Sequence, residues 1–351
     1  MMKRFARIIL IFVLLISPQL HGENFKLNQK EGIWQDKKEK QIEFVSFERI
    51  NFDFDKVPLK YISKISLHKN NIFILDSKRN ELYVIDKKGS YLYTIGRPGQ
   101  GPGDLEYGWD FFISGDEKIY VLNSMPKRIE VFDIKGKPIE SIRLDIPGFG
   151  ILPEAIIIDK DKNLIISSSF KNIIAVYDAN GSHLKTLLKR DDLENYSKNT
   201  LAIGIPSRLE IIDNHILHFD LYKGIFTKID LSGHVVSNFN AYDERISRDC
   251  DELEAEYKDS GEKGYPKRKV TFRHFNSFCV DYLNRIYAVP SGRKKGEIQK
   301  LFVFSPYGNL LYKKPLDFFT KMQVKHICCE KDSFVFATHD LILILANRRK
   351  K

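Results

Sequence analysis

A hairpin unit present in five copies is the feature that most constrains this chain. The first copy reads Asn71 to Asp76, a short polar loop, Glu81 to Asp86, then Lys87-Lys88-Gly89-Ser90 and Tyr91 to Ile95. Its runs of Ile, Val, Phe and Tyr alternate as strands do. Further copies occupy residues 118–144, 163–188, 215–239 and 285–316. Each turns on Asp-x-x-Gly, with Ser305 in place of Asp in the last. An Asp at that position can bond the backbone that follows it, and Gly accepts the positive φ that a tight hairpin needs.

The turn glycines stand at 89, 136, 181, 233 and 308, at intervals of 47, 45, 52 and 75 residues. The first three intervals suit one four-stranded propeller blade per repeat. The fourth predicts an insertion at 241–269, a charged stretch whose residues 249–257 read as a short surface helix. Inner strands are expected at 61–68, 109–114, 154–159, 208–213 and 271–281. Three more strands follow at 321–330, 333–338 and 341–346, and residues 41–50 have strand character without a blade of their own. The expected fold is therefore all-β: a six-bladed β-propeller of four-stranded antiparallel blades over residues 41–347. Its last blade is closed by the N-terminal strand, which protects edges that would otherwise template aggregation. A solenoid of stacked hairpins is the alternative.

The ends of the chain differ from its body. Lys3, Arg4 and Arg7 precede an apolar run from Ile8 to Ile16, which Ser17-Pro18 breaks. That pattern predicts a signal peptide over 1–22 and an exported, periplasmic or envelope-associated protein, with a linker at 23–40. The run is too short to span a bilayer comfortably, so no transmembrane helix is expected after cleavage. The formal charge of +10 falls to +3 once those three cations and the basic tail at 348–351 are set aside. Bulk charge therefore gives no support to nucleic acid as a partner. Cys250, Cys279, Cys328 and Cys329 could pair in three ways, and the adjacent Cys328 and Cys329 should face opposite sides of a strand. No Cys/His spacing suggests zinc.

The segment Ile95-Gly-Arg-Pro-Gly-Gln-Gly-Pro-Gly-Asp-Leu105 follows the first repeat. With the repeat itself, it makes residues 40–347 resemble bacterial exported six-bladed propellers related to NHL-repeat and TolB-like proteins. Asp104 stands at the acidic position of the stretch that such proteins often carry. Many such proteins are uncharacterised or are taken to be binding proteins, so the resemblance implies the fold much more than a function.

Two sets of residues are candidates for function. The loops between second and third strands carry Lys78, Arg79, Lys127, Lys171, Lys223 and Arg293, and the Gly-rich crossing on the same face adds Arg97, Gln100 and Asp104. A ring of cations could focus an anionic glycan or a protein ligand, although Lys is also common in any exposed turn. The Gly-rich stretch lacks the Gly-Lys-Ser/Thr ending and the following helix of a phosphate loop. The alternative is a calcium-type hydrolase or lyase in the central funnel, with Asp110 and Glu154 as metal ligands. No catalytic constellation and no cofactor motif is recognisable, so binding is the leading expectation.

Overall fold

The computed structural model describes residues 44–146, 152–168, 172–189, 207–221, 224–241, 275–291, 298–319, 322–341 and 343–348. The predicted signal peptide, the linker, the insertion beyond Ala241 and the tail beyond Arg348 lie outside the described residues. So do Lys171, Lys223, Cys250 and Arg293.

Six four-stranded antiparallel sheets make six blades. Blade 1 is β2 (Ile62–His68), β3 (Asn71–Asp76), β4 (Glu81–Asp86) and β5 (Tyr91–Ile95), and blade 2 is β6 (Gly108–Ile113), β7 (Lys118–Asn123), β8 (Arg128–Asp133) and β9 (Pro138–Arg143). Blade 3 is β10 (Pro153–Ile158), β11 (Leu164–Ser168), β12 (Asn172–Tyr177) and β13 (His183–Lys189). Blade 4 is β14 (Ser207–Ile212), β15 (His215–Asp220), β16 (Ile225–Ile229) and β17 (Val235–Asn240). Blade 5 is β18 (Phe275–Val280), β19 (Ile286–Pro290), β20 (Lys300–Phe304) and β21 (Leu310–Pro315). Blade 6 joins β22 (Val324–Glu330), β23 (Ser333–Thr338) and β24 (Leu343–Arg348) to β1 (Phe44–Ile50) from the other end of the chain. The closing strand expected at 41–50 is thus present, pairing antiparallel with Phe44 opposite Arg348 and Ile50 opposite Leu343.

The repeated turn works as its residues require. Asp86 Oδ1 accepts hydrogen bonds from Lys88 N and Ser90 N, both at 2.8 Å. Asp133, Asp178 and Asp230 do the same for the residues two and four positions on. The Ser305 hydroxyl reproduces the pattern at longer range, accepting from Tyr307 N at 3.3 Å and Asn309 N at 3.1 Å. The five turn glycines have φ between 83° and 101°, where a Cβ would be strained.

Strand alternation sends each blade's side chains into two different cores. Six apolar clusters result, each filling the gap between neighbouring blades. Inner strands touch in the order β2, β6, β10, β14, β18, β22 and back to β2, so the ring is closed. Blades 1 and 4 therefore stand opposite each other across the axis.

His218 is an exception to this apolar filling. It lies on β15 on the same face as Ile216, and both ring nitrogens are buried with no hydrogen-bond partner among the described residues. Burial pushes its pKa down to about 4. The unfolded chain takes up that proton near pH 6.5, so the folded state keeps this contribution above 6.5 and loses it as pH falls towards 4. The loss should reach about 3 kcal/mol. His218→Leu should flatten that part of the acid limb, read from urea midpoints at pH 7 and pH 4.5. Equal acid sensitivity in the two proteins would contradict it.

Candidate functional site: a cationic bowl over the central channel

The first residues of the inner strands surround the axis at one end of the ring. Lys60, Tyr61 and Ser63 enter from blade 1, Trp109 from blade 2, Arg208 from blade 4, Asn276 from blade 5, and Lys325 and His326 from blade 6. Lys78 adds the loop between β3 and β4, and Thr338, His339 and Leu341 add the one between β23 and β24. Together they line a bowl of about 480 Å³. Its described lining carries four Lys or Arg side chains, two His and no carboxylate.

The bowl is built from behind by buried polar groups. Asp76, wholly buried at the end of β3, accepts from Tyr61 N at 3.0 Å and from Lys60 N through one oxygen. Its other oxygen accepts from Lys78 N at 3.0 Å and Arg79 N at 2.9 Å. One carboxylate thus fixes both backbone segments that present Lys60, Tyr61 and Lys78. Five inner strands have a register shift near their first residues, while β14 pairs residue by residue. Bulges at a rim re-aim side chains.

Arg208 forms the floor. From β14 its guanidinium donates to Ser63 O of the opposite blade at 3.0 Å, spanning the axis. Below it a second cavity of about 190 Å³ occupies the waist of the channel, lined by Lys64, Phe111, Glu210, Cys279, Cys328 and Cys329 among others. There the Lys64 ammonium pairs with Asp110 at 2.7 Å. Burial, with the nearby Asp110 carboxylate, pushes the Glu210 carboxyl above its usual range while Lys64 opposes the rise.

The residues expected from sequence fall in several places. Lys78 lines the bowl, with its ammonium 6.0 Å from the centre of the Tyr61 ring. Arg79 turns away and donates to Pro58 O at 2.8 Å. Lys127 lines a separate groove with Arg143 and Asp145 and reaches Ile146 O at 3.3 Å; burial lowers its pKa. Arg97 pairs with Asp104 at 2.7 Å, and that contact with the Gly101 N–H holds the Asp104 carboxyl below the usual range. Gln100 donates to Glu106 Oε1 at 3.2 Å.

The Gly-rich crossing is held as a knot. Arg128 donates to the carbonyls of Gln100, Gly101 and Asp104. Its Nε pairs at 2.5 Å with the buried Glu130, which also accepts from Gly103 N and Ser141 Oγ. Asp110 and Glu154, the two candidate metal ligands, are engaged separately. Asp110 pairs with Lys64 and accepts from Ile156 N at 3.0 Å, while Glu154 accepts from Ser207 N at 2.9 Å. Among the described residues no three His, Cys, Asp or Glu side chains gather closely enough to hold a metal ion.

Sequence reading did not single out Lys60, Tyr61, Lys325, His326 or His339. Trp109 and Arg208 are legible as residues at the starts of inner strands, where the blades face the axis, and the same position in β22 is the signal that could have found Lys325.

Ring, bowl and waist together define a six-bladed β-propeller with a polar, cation-lined mouth. Residues 28–153 match the family described as a 6-bladed beta-propeller (DUF5128). The chain superposes on a Bacteroides fragilis protein provisionally classed as exported, at TM-score 0.57 and 14% identity, covering 88% of this chain and 96% of that one. A Bacteroides thetaiotaomicron protein of unknown function gives 0.55 and 14%, covering 88% and 72%. A catalytically inactive variant of virginiamycin B lyase from Staphylococcus aureus, solved with quinupristin, gives 0.54 and 14%, covering 87% and 99%. At such identity the likeness is one of fold. No curated protein matches the sequence. Among the described residues no helix is long and apolar enough to cross a membrane.

Proposed function

We propose that this chain is an exported binding propeller whose ligand is an acidic glycan seated in the bowl. One observation carries the reading: Lys60, Lys78, Arg208 and Lys325 converge with Tyr61 and Trp109 on one cavity whose described lining has no carboxylate. Walls bearing one sign of charge focus the field and raise the local concentration of an oppositely charged ligand. Tyr and Trp supply flat apolar faces with polar tips, which suit sugar rings that carry carboxylates. Export is supported by the basic, apolar, then polar order of residues 1–22 and by the likeness to a protein classed as exported. Kinship with NHL-repeat and TolB-like propellers rests on the Gly-rich stretch at 96–104. The rival reading, a metal-assisted hydrolase or lyase using Asp110 and Glu154, has less support. Both carboxylates are engaged by protein groups, and a shared fold does not carry a lyase's chemistry with it.

Calorimetric titration with polygalacturonate, against neutral dextran of similar length, tests the proposal. Polygalacturonate should bind and dextran should not, with affinity falling as salt screens the charges. Lys60→Glu with Lys78→Glu should weaken binding at least roughly tenfold, about 1.4 kcal/mol. Equal binding by wild type and variant, or no preference over dextran, would remove the bowl as the site. Shortened polygalacturonate after incubation would move the assignment to an enzyme.

A further inference from the structure

Three cysteines face the interior near the waist, and they are not equivalent. Cys279 on β18 is buried in the apolar cluster between blades 5 and 6, and Cys329 on β22 packs against the same cluster. Cys328, its neighbour in sequence, belongs instead to the cluster between blades 6 and 1. The alternation expected for adjacent strand residues thus sorts the two into different cores. Blades 5 and 6 are in close register here. Ile327 N donates to Ser277 Oγ at 3.4 Å, and the Cys329 thiol lies 3.4 Å from Val280 O, one residue beyond Cys279. After burial, the Cys329 thiol is the side chain that pushes the Cys279 thiol up most, and both cysteines are free thiols in this structure.

We propose that Cys279 and Cys329 form a disulfide that staples blade 5 to the composite blade 6. The two blades share no backbone ladder, so they are joined across this gap by side chains and by the chain segment after β21. The bond would add a covalent tie where the ring closes. The co-reactant is a small or protein-borne disulfide. A thiolate of one cysteine attacks one oxidant sulfur, forming a mixed disulfide and releasing the first oxidant thiol. The thiolate of the other cysteine then attacks the protein-bound sulfur, forming the Cys279–Cys329 bond and releasing the second. Two protons and two electrons leave the protein, and one oxidant disulfide becomes two thiols. Burial pushes the Cys279 thiol up in the folded ring, which suppresses its thiolate. Exchange should therefore occur mainly before the ring closes, and the bond should resist reduction afterwards. This inference does not depend on what the bowl binds.

The full chain, refolded from urea with oxidised and reduced glutathione, provides the test. Peptide mapping without reductant should give one cross-linked pair joining Cys279 to Cys329. Reduction should lower Tm by about 5 °C. Cys328→Ser should keep both the cross-link and the Tm difference, and Cys279→Ser should abolish both. Alkylation of both thiols after denaturation would overturn the proposal. A bridge through Cys250 or Cys328, or a glutathione adduct at Cys279 in place of a bridge, would do so equally. Mapping the wild type decides the matter even if a variant fails to fold.

Discussion

Phe336→Ala should destabilise the protein by about 4 kcal/mol, the cost of removing a fully buried aromatic ring from a packed core. Phe336 lies where the two ends of the chain meet. Its ring centre is 5.9 Å from that of Phe44, 6.5 Å from Phe47 and 5.3 Å from Phe319. The cavity would open in the cluster between blades 5 and 6, where Phe44 and Phe47 of β1 pack, so the damage should be local before it is global. Urea unfolding reads the magnitude, and hydrogen exchange reads the place. The amides of Phe44–Ile50 should lose protection ahead of those in blades 2 and 3. Uniform loss across all blades would mean that β1 is not the weak seam of the ring. Phe47→Ala should cost about half as much, because Phe47 is only partly buried.

Arg128→Ala should be comparably damaging, at about 3–5 kcal/mol, although it touches no ligand-facing group. Its partner Glu130 is wholly buried, and removing the guanidinium leaves that carboxylate, among the described residues, with Gly103 N and Ser141 Oγ alone. Three carbonyls of the Gly-rich crossing each lose a donor at the same time, although Gly101 O keeps Asp104 N and Asp104 O keeps Asn123 Nδ2. A double replacement, Arg128→Met with Glu130→Leu, should recover part of the stability by removing both charges, while the crossing stays loosened. Denaturant midpoints measure the first effect, and proteolysis between Arg97 and Asp104 measures the second. If the double variant were no more stable than Arg128→Ala, the cost would lie in the loop carbonyls and not in the stranded carboxylate.

The architecture was legible because its determinants are local. Asp86, Asp133, Asp178 and Asp230 bond the residues just after them, and the glycines that follow adopt the φ that the turn demands. Even the closing strand could be inferred, since a ring with three strands at one end needs a fourth. The bowl was less legible because it is a property of closure. Lys60, Trp109, Arg208 and Lys325 belong to four blades and meet only when the inner strands converge on the axis. Loop cations are easier to see in a sequence, but their charged groups need not face inward. Arg79 is drawn to Pro58 O by a backbone carbonyl in reach, and Arg97 to a carboxylate only seven positions along the same loop. Lys78 is the described member of that loop set that lines the bowl.

The pairing of β1 with β24 also sets an order of events. Phe44 meets Arg348, so a strand made early waits for one made late, and no shorter nascent chain can complete blade 6. Pairings between distant segments are intrinsically slow, and they leave intermediates with unpaired edges. During synthesis the ring is therefore an open arc, whatever the stability of its individual blades. For a chain exported as proposed this delay is useful, because a polypeptide that has not locked can still be threaded through a pore. Circularly permuted chains that begin at β2 and end at β1 would make the two closing strands neighbours and remove the wait. They should fold faster and be exported less efficiently.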